Sequence, residues 1–412
     1  MNMTRMLLTL GPSTGGIGHH VRHIYDALTA QGWRVRVVGP PAHAEGWMEG
    51  LGDDFRPLSL PGPWGPVRSL FGPLTEECRD ADLVHAHGLR TGLVTAVAAR
   101  RAGTPAVVTV HNRVLPETGG RFWRFARWAE PLTGRAATVA LGPSPDVAER
   151  LGQSARTIPV VPRHIPKPSR DRLAVRQELG LERDDVAVFC LARFQPQKRL
   201  DVLVKAAALM VSPRVKVFLA GDGPLQEKIA AQVEAAGAPI RFLGYRKDVP
   251  DLLGAADIAV LSSAWEASPL ALHESAWARL PLVGTDTGGI PLIIQDGETG
   301  FVVPVGDASA LATALDRLAG DAGLRRQMGD AAWAREEAEF SGDKMMERLS
   351  VVYEEVLSSG SGGSARGEAP GIVQPLTPSV GIPSMDDARG KTATQVPKED
   401  MPEEHGVEGQ DV

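Results

Sequence analysis

Short apolar segments alternate with longer amphipathic segments along most of the 412-residue chain. Many of the apolar segments are near-continuous runs of Val, Ile and Leu, which is typical of parallel strands buried on both faces. The predicted strands are Arg5–Leu10, Arg34–Val38, Leu83–His85, Ala106–Val110, Thr138–Leu141, Val186–Leu191, Lys216–Ala220, Ile240–Leu243, Ile258–Leu261, Leu282–Gly284 and Phe301–Val303. Helical periodicity separates them, as in His20–Gln31, Leu200–Met210 and Leu225–Ala236. This alternation predicts an α/β protein with two doubly wound sheets.

The break between the two sheets is predicted at a proline-rich segment. Ile158–Ser169 carries four prolines in twelve residues, a density that excludes a central strand or a helix interior. We therefore expect a first domain over residues 1–163 and a second over 164–335. A helix from about Ala331 to Leu357 is predicted to end the folded part, with residues 336–357 lying beyond the second domain. Residues 358–412 are rich in Gly, Pro, Ser and acidic side chains, and are predicted to be disordered.

Composition and charge narrow the class of protein. The net charge is −6, and the tail from Ser358 supplies −5 of it with nine acidic and four basic residues. The folded part is thus nearly neutral, which argues against a general nucleic-acid binder. Only a short apolar run, Met6–Leu10, precedes Gly11, and no segment reaches a membrane-spanning length, so a cytoplasmic protein is expected. Cys78 and Cys190 are expected to be free thiols.

The first strand runs into a glycine-rich loop, Gly11–Gly18, ahead of a helix expected to start near His19. Such loops let backbone amides approach a diphosphate, although many are merely tight turns. The spacing departs from the dinucleotide fingerprint, and no acidic residue closes the next strand at Arg36–Gly39. A nicotinamide site is therefore disfavoured.

Two cations follow the first strand of the second sheet. Arg193 lies at the strand end and Lys198 lies just before the next helix. Arginine can grip a diphosphate in a bidentate way, and lysine adds a point charge where a leaving group develops charge. The alternative is a solvated pair of surface cations. The turn Gly221–Pro224 follows the next strand, so it is expected at the same carboxyl edge of the second sheet as the two cations.

Two glutamates eight positions apart form the motif E-x7-E. Glu266 follows the strand Ile258–Leu261 through a short loop, and Glu274 lies about one turn into a predicted helix, Leu270–Arg279. Carboxylates at these positions can accept hydrogen bonds from sugar and ribose hydroxyls. The intervening residues place backbone amides at a helix start, where phosphate or sugar oxygens bind well: Ala267, Ser268, Pro269 and Leu270. Taken alone, two acids at a helix start are more often simply solvated charge.

Histidines also end strands, at His85, His87 and His111. No Cys, Asp or Glu cluster near them in the sequence completes a ligand set, so no metal site is expected. His111 is expected to face the cleft between the domains.

A further segment, Arg121–Trp128, interleaves cations and aromatic residues on a predicted helix. It suits either an ordinary amphipathic helix or contact with a membrane surface or an anionic acceptor.

Taken in order, these segments resemble the family 4 glycosyltransferases, which have the two-domain GT-B fold. The resemblance runs from about Met6 to Ala334 and is tightest from Val188 to Pro304. It rests on GGIGHH at Gly15, HAH at His85, VTVHN at Val108, LARFQPQKRLDVLVKA at Leu191, LAGDGPL at Leu219, FLGYRKDVPDLLGAADI at Phe242, the E-x7-E motif, and LPLVGTDTGGIPLII at Leu280 followed by DGETGFVVP.

The resemblance implies metal-independent, anomer-retaining transfer of a sugar from a nucleoside-diphosphate sugar to an acceptor hydroxyl, with no cofactor. It implies that the first domain binds the acceptor, that the second binds the donor, and that the last helix crosses back to the first domain. Arg193 and Lys198 would hold the diphosphate, Glu274 the ribose and Glu266 the donor sugar. Gly15 and Gly16 would approach the diphosphate, and His111 would lie near the anomeric carbon.

Two positions depart from the family pattern. Leu292 stands where a glutamate is usual, and Arg163-His164 replaces the usual Asn-Gly turn after the linker proline. Neither change touches the cations or the two glutamates. A sugar-nucleotide epimerase or a sugar phosphorylase on the same fold, and a non-catalytic sugar-nucleotide-binding protein, remain the alternatives. The acceptor, whether a lipid, a metabolite or a glycan, is left open by the sequence.

Overall fold

A computed structural model of the chain describes residues 3–12, 16–58, 68–114, 123, 127–162 and 167–360. The predicted disordered tail beyond Gly360, Gly15 of the glycine-rich loop and most of the segment Arg121–Trp128 lie outside these residues. The described part contains two parallel β-sheets, and both sheets belong to one compact unit.

The first sheet has seven described strands. They are β1 (Arg5–Leu10), β2 (Arg34–Gly39), β3 (Phe55–Pro57), β4 (Leu83–His87), β5 (Ala106–Thr109), β6 (Val139–Gly142) and β7 (Arg156–Thr157). Their order is β3-β2-β1-β4-β5-β6-β7, and every pairing is parallel. The chain order reverses between β1 and β4, which is where open sheets of this kind bind ligands.

The second sheet has six described strands. They are β8 (Val186–Leu191), β9 (Val215–Ala220), β10 (Ile240–Gly244), β11 (Ile258–Val260), β12 (Leu282–Thr285) and β13 (Gly300–Val303). Their order is β10-β9-β8-β11-β12-β13, again all parallel, with the reversal between β8 and β11. Each strand of this sheet carries buried apolar side chains, and together they belong to one continuous core. The predicted pair of doubly wound sheets is confirmed.

Helices cover the faces of both sheets. The described α-helices are α1 (Gly16–Ala30), α2 (Arg68–Arg79), α3 (Leu89–Ala102), α4 (Ala129–Ala136), α5 (Pro145–Leu151), α6 (Arg172–Glu178), α7 (Leu200–Leu209), α8 (Gln226–Ala236), α9 (Val249–Ala255), α10 (Leu270–Trp277), α11 (Ile290–Ile293), α12 (Ala308–Gly320), α13 (Ala322–Glu339) and α14 (Gly342–Gly360). Three aspartates, Asp171, Asp307 and Asp321, accept backbone N–H groups at helix starts, which fixes where those helices begin.

The prediction of a single helix from about Ala331 to Leu357 is wrong, because two helices, α13 and α14, cover these residues. The break falls at Phe340 and Ser341. Phe340 turns into the core, where it is 1% exposed and packs against His273. The Ser341 hydroxyl then accepts the N–H of Lys344 and so begins α14 as a helix cap.

Helix α14 contacts the first sheet, as the expected crossover helix should. The hydroxyl of Tyr353, which is fully buried, lies 2.7 Å from Nδ1 of His85 on β4. The ring of Tyr353 also lies beside that of Trp33, and Glu355 pairs with Arg156 of β7 at 2.6 Å. The last helix of the described chain is therefore anchored on the first sheet.

The described residues bear on two further expectations. Cys78 and Cys190 are both free and buried, as expected. Burial raises the pKa of each thiol to about 12, so neither is a reactive thiolate near neutral pH. Among the helices that the structure describes, none combines the length and the apolar character needed to cross a bilayer.

Candidate functional site

Lys198 and Glu266 meet at the point where the second sheet reverses its strand order. Lys198 ends a single 3₁₀ turn, Pro196–Lys198, after β8, and Arg199 then adopts a left-handed conformation with φ 46°. Glu266 lies in the loop between β11 and α10. The Nζ of Lys198 is 2.5 Å from Oε1 of Glu266, with the two side chains 19% and 8% exposed. The structure thus brings two of the predicted residues into one partly buried ion pair.

Direct hydrogen bonds fasten the two loops to each other. The side-chain amide of Gln197 donates to the carbonyl of Trp265 at 2.6 Å, and the N–H of Ala264 donates to the carbonyl of Gln197 at 2.7 Å. The hydroxyl of Ser263 donates to Oε1 of Glu266 at 2.6 Å. Both side-chain partners of Glu266 therefore use Oε1, which leaves Oε2 for another donor.

Two glycines of the GGIP segment allow a close approach of backbone to the Glu266 loop. Gly288 has φ +54°, and a Cβ there would lie 1.8 Å from the carbonyl oxygen of Glu266. A Cβ on Gly289 would lie 2.0 Å from the carbonyl oxygen of Ala267. The N–H of Gly289 also donates to the carbonyl of Glu266 at 2.9 Å. Only glycine fits either position, and this contact orients the carboxylate-bearing loop.

The start of α10 faces the glycine-rich loop of the first sheet. A Cβ placed on Gly16 would lie 3.1 Å from Cδ1 of Leu270, so the two predicted positions are in near contact. Ser268 uses its hydroxyl structurally, because it donates to the carbonyl of Val160 at 2.7 Å. Pro269 has no N–H, so Ala267, Ser268 and Leu270 are the residues of this segment with amides to offer.

Glu274 lies on α10 and is partly buried. Burial raises the pKa of this carboxyl to about 7, and the neighbouring His273 opposes the shift only partly. The residue lines a pocket of about 490 Å³. Its other lining residues are Lys167, Ser169, Lys247, Asp248, Val249, Pro250, Asp251 and Leu253. Glu274 has no ion-pair partner among the described residues, and a carboxyl group with a raised pKa that lines a pocket is a candidate for a functional role.

Arg193 stands free at the end of β8. It is exposed, and its guanidinium makes no ion pair with any of the described residues. Two glycines of the Gly221–Pro224 turn support its loop, since a Cβ on Gly221 would lie 2.0 Å from the carbonyl oxygen of Ala192. The N–H of Phe194 donates to the carbonyl of Asp222 at 2.6 Å. The loop that carries Arg193 is therefore fixed by these contacts, and no acidic side chain of the described residues neutralises its charge.

His111 lies among other histidines at the carboxyl edge of the first sheet, where it is buried. Burial lowers the pKa of His111 to about 4, so its imidazole is neutral near pH 7. Its Nε2 is 3.2 Å from Nδ1 of His87, and the ring of His20 lies 5.3 Å from the ring of each. The sequence prediction that no metal cluster forms considered His85, His87 and His111 but omitted His20, which the fold brings to them.

Sequence reasoning missed a contact between the two sheets. Nε1 of Trp265, next to Glu266, donates to Asp146 at the start of α5 at 2.6 Å. Asp146 also pairs with Arg113 at 3.0 Å, and the Arg113 guanidinium lies 5.0 Å from the Trp265 ring centroid. Trp265 and Ala267 share an apolar cluster with strands of the first sheet. The pattern Ser144-Pro145-Asp146 after a strand could have indicated the start of α5, but not its contact with Trp265.

Comparison with known proteins agrees with this architecture. Residues 15–164 match the model of a glycosyl transferase 4-like domain, and residues 171–335 match that of the glycosyl transferases group 1. Together the two matches cover most of the chain. The protein belongs to the family 4 glycosyltransferases, which transfer sugars from nucleotide-sugar donors.

The relatives differ in how much of them the chain covers. N-acetyl-alpha-D-glucosaminyl L-malate synthase of Bacillus anthracis is 32% identical over 197 residues, which are 47% of this chain and 52% of the relative. The chain thus spans about half of that protein. A phosphatidyl-myo-inositol mannosyltransferase of Mycobacterium leprae is 28% identical over 84% of this chain and 95% of its own length.

Solved structures define the fold. The crystal structure of Anabaena HepE in complex with UDP has a TM-score of 0.72 and 21% identity, and it covers 86% of this chain and 100% of its own. Sucrose-phosphate synthase from Thermosynechococcus elongatus has a TM-score of 0.69 and also 21% identity, over 87% of this chain and 100% of its own. The two sheets therefore form a GT-B fold, as predicted.

Proposed function

We propose that the protein is a retaining glycosyltransferase that needs no metal cofactor and joins the donor sugar to an acceptor hydroxyl. One observation carries the proposal: Glu266, paired with Lys198, lies in the loop before α10, and the first residue of α10, Leu270, is in near contact with Gly16 at the start of α1. Cations, a carboxylate and helix-start amides then surround one cleft between two doubly wound sheets. That combination suits a nucleoside-diphosphate sugar.

Arg193 and Lys198 supply the positive charge that the donor diphosphate requires. An ammonium group has three donors, and Glu266 takes one of those of Lys198, which leaves two for phosphate oxygens. The guanidinium of Arg193 has no protein partner among the described residues, so it is available for a bidentate phosphate contact. These two cations take the place of a divalent metal as the leaving group gains charge. Gly16, the first residue of α1, lets the backbone of the first domain approach the same diphosphate.

The two glutamates bind the two sugar rings of the donor, namely the transferred sugar and the ribose. Glu266 keeps Oε2 for a hydroxyl of the transferred sugar, while Ser263 and Lys198 fix its orientation through Oε1. Glu274 accepts the ribose hydroxyls at the edge of the pocket that it shares with Lys247 and Val249. Neither carboxylate serves as a nucleophile or a general base in this scheme.

Transfer proceeds on one face of the sugar. The bond between the anomeric carbon and the diphosphate oxygen breaks, the acceptor oxygen bonds to that carbon, and its proton passes to the departing diphosphate. His111, a neutral imidazole near pH 7, lies near the anomeric carbon and donates a hydrogen bond to the sugar. The bond between Trp265 and Asp146 helps to close the cleft and exclude water, which competes as an acceptor.

The purified chain should be incubated with a panel of nucleoside-diphosphate sugars and candidate acceptors, namely a lipid, a small metabolite and a glycan. We expect release of nucleoside diphosphate and a product with the donor's anomeric configuration, read by NMR. Epimerised donor without diphosphate indicates the epimerase, free sugar phosphate indicates the phosphorylase, and binding without turnover indicates a non-catalytic protein. Each of these three outcomes contradicts transfer.

We further propose that the protein touches the cytoplasmic face of a membrane through the segment Arg121–Trp128 and helix α4. Among its described residues, Trp128 is 71% exposed and Leu132 is 49% exposed. Arg127 lies 5.9 Å from the ring centroid of Trp123, so cations and aromatic rings share this surface. Exposed aromatic and basic side chains together favour the interface of anionic lipids.

Flotation with anionic phosphatidylserine vesicles tests this contact. The wild-type chain should float, and the Trp128→Ser variant should float less. Tyr245→Ser serves as the control, because Tyr245 is 69% exposed next to β10, away from α4. Failure of the wild-type chain to float contradicts the membrane proposal and leaves the transferase proposal untouched.

A further inference from the structure

The strand order of the first sheet gathers three histidines at its carboxyl edge. His87 ends β4 and pairs in register with Thr109 of the neighbouring β5, and His111 follows two residues later. His20 lies in the second turn of α1, the helix that follows β1, and β1 is the other neighbour of β4. Three separate elements thus converge where the sheet reverses its strand order.

The three imidazoles have the spacing of a metal-ligand set. Each offers a ring nitrogen, and the three nitrogens all lie within 4.8 Å of one another. Nδ1 of His87 and Nε2 of His111 are 3.2 Å apart. Two nitrogens bound tetrahedrally to zinc, each at roughly 2.0–2.1 Å, lie about 3.3 Å apart, so this pair already has the right separation.

Two ring nitrogens of these histidines lack the hydrogen bonds that buried imidazoles normally make. His20, His87 and His111 are 4%, 1% and 6% exposed. Within the described ranges, neither Nδ1 of His20 nor Nε2 of His87 has a hydrogen-bond partner. Buried polar atoms are nearly always paired, and an unpaired one therefore needs an explanation. A metal ion bound by Nδ1 of His20 supplies one for that atom, with Nδ1 of His87 and Nε2 of His111 as the other two ligands.

His85 lies against the cluster but differs from it. Its ring centroid is 4.1 Å from that of His87, yet both of its nitrogens are used. Nδ1 bonds to Tyr353 and Nε2 bonds to Thr109, at 2.7 and 2.8 Å. It therefore supports the ring of His87 from behind rather than serving as a ligand.

The geometry points to a binding site for one divalent transition-metal ion, such as Zn²⁺, formed by His20, His87 and His111. Three imidazoles are a sufficient protein ligand set for zinc, with a water in the fourth position, whereas Mg²⁺ and Ca²⁺ require oxygen ligands. Bound metal engages His111 and so withdraws it from the donor sugar, which inhibits transfer. The inhibition rests on the proposed role of His111, whereas the binding site itself does not.

Calorimetry with ZnCl₂ and the metal-free full chain tests the site. We expect one ion per chain, and no comparable binding of MgCl₂. His20→Gln and His87→Gln, measured separately, should each weaken zinc binding by at least about tenfold, because each removes a ligand. His19→Gln is the matched control, since His19 is the exposed neighbour of His20. Absence of stoichiometric binding, or unchanged affinity in both ligand variants with wild-type circular dichroism, overturns the site.

Activity assays with and without zinc separate the existence of the metal site from its proposed inhibition of transfer. Zinc should inhibit transfer by the wild-type chain and by His19→Gln, and should leave the residual activity of His20→Gln unchanged. Stoichiometric binding without inhibition overturns the inhibitory role. If the chain shows no transfer even without zinc, the proposed function fails, while the calorimetric result still decides whether the metal site exists.

Discussion

At the scale of single residues, the ion pair of Lys198 and Glu266 has a double role. It orients Glu266 through Oε1, and it keeps an ammonium group at the end of the loop after β8. Lys198 comes from that loop and Glu266 from the loop after β11, and these two strands are neighbours only because the chain order reverses there. The charge that we propose for diphosphate binding is therefore positioned by the strand order of the sheet.

Lys198→Ala should lower kcat/KM by about 10²–10³-fold, because it removes a preorganised cation and leaves Glu266 without its charge partner. Steady-state release of nucleoside diphosphate measures the effect. Lys205→Ala is the control, since Lys205 is exposed on α7 away from the loop. Equal activities of the two variants would remove Lys198 from the site.

The raised pKa of Glu274 makes the free energy of unfolding depend on pH. Burial raises the pKa of its carboxyl from 4.5 to about 7 in the folded state. Between these values the unfolded chain releases the proton while the folded chain keeps it, so the free energy of unfolding falls as the pH rises. The loss is complete above about pH 7 and amounts to roughly 3 kcal/mol.

Glu274→Gln removes this effect. Urea unfolding should show the variant to be more stable than the wild-type chain at pH 8, with the difference vanishing near pH 4. Glu337→Gln, an exposed position on α13, should show no such change. A constant difference between wild type and Glu274→Gln across this range would contradict the buried, unpaired state of the carboxyl.

At the scale of elements, the segment Gly288–Gly289 shows why the chain needs glycine before α11. Gly288→Ala should destabilise the chain by roughly 3 kcal/mol, since the new Cβ meets the carbonyl of Glu266 and φ is positive. Gly297→Ala is the matched control, because Gly297 has φ +78° with nothing within 4 Å of a Cβ. It should lose only about 1 kcal/mol by thermal or urea unfolding.

Similar losses for the two variants would show that φ alone matters and that the contact with Glu266 does not. A larger loss at Gly288, together with a higher KM for the donor, would show that this contact orients the carboxylate loop. The two glycines share the backbone strain and differ in crowding, so the comparison isolates the contact.

The long, buried strands were predictable from sequence, whereas short edge strands were not. Val186–Leu191 was predicted with the bounds that the structure has, because a continuous apolar run is unambiguous. β3 and β7, of three and two residues, carry too few side chains for any periodicity. The break after α13 was missed because Phe340 continues the helical pattern, while only the cap at Ser341 reveals a new start.

The site was predictable to the extent that its residues follow strands. Arg193, Lys198, Glu266 and Glu274 were predicted from that rule and from the family resemblance, and the structure pairs Lys198 with Glu266. The bond between Trp265 and Asp146 was not, since the two are 119 positions apart and no local pattern links them. His20 escaped the histidine group for the same reason, because only the strand order places α1 beside β4 and β5.

At the scale of the whole molecule, α14 ties the end of the described chain to the first sheet. Tyr353→Phe removes the hydrogen bond to His85 and leaves a buried ring nitrogen without a partner. We expect the free energy of unfolding to fall by about 1–3 kcal/mol. Tyr245→Phe, at an exposed position, should have no measurable effect. An unchanged stability for Tyr353→Phe would show that this contact contributes little to anchoring the helix.

The central claim is that one cleft holds the donor, with Lys198 and Arg193 on the diphosphate and Glu274 on the ribose. The most direct measurement is a crystal structure of the full chain soaked with UDP. The account predicts phosphate oxygens within hydrogen-bond distance of both cations, near the Gly16 backbone, and ribose hydroxyls on Glu274. UDP bound elsewhere, or bound in the cleft without contact to Lys198 and Glu274, contradicts the account.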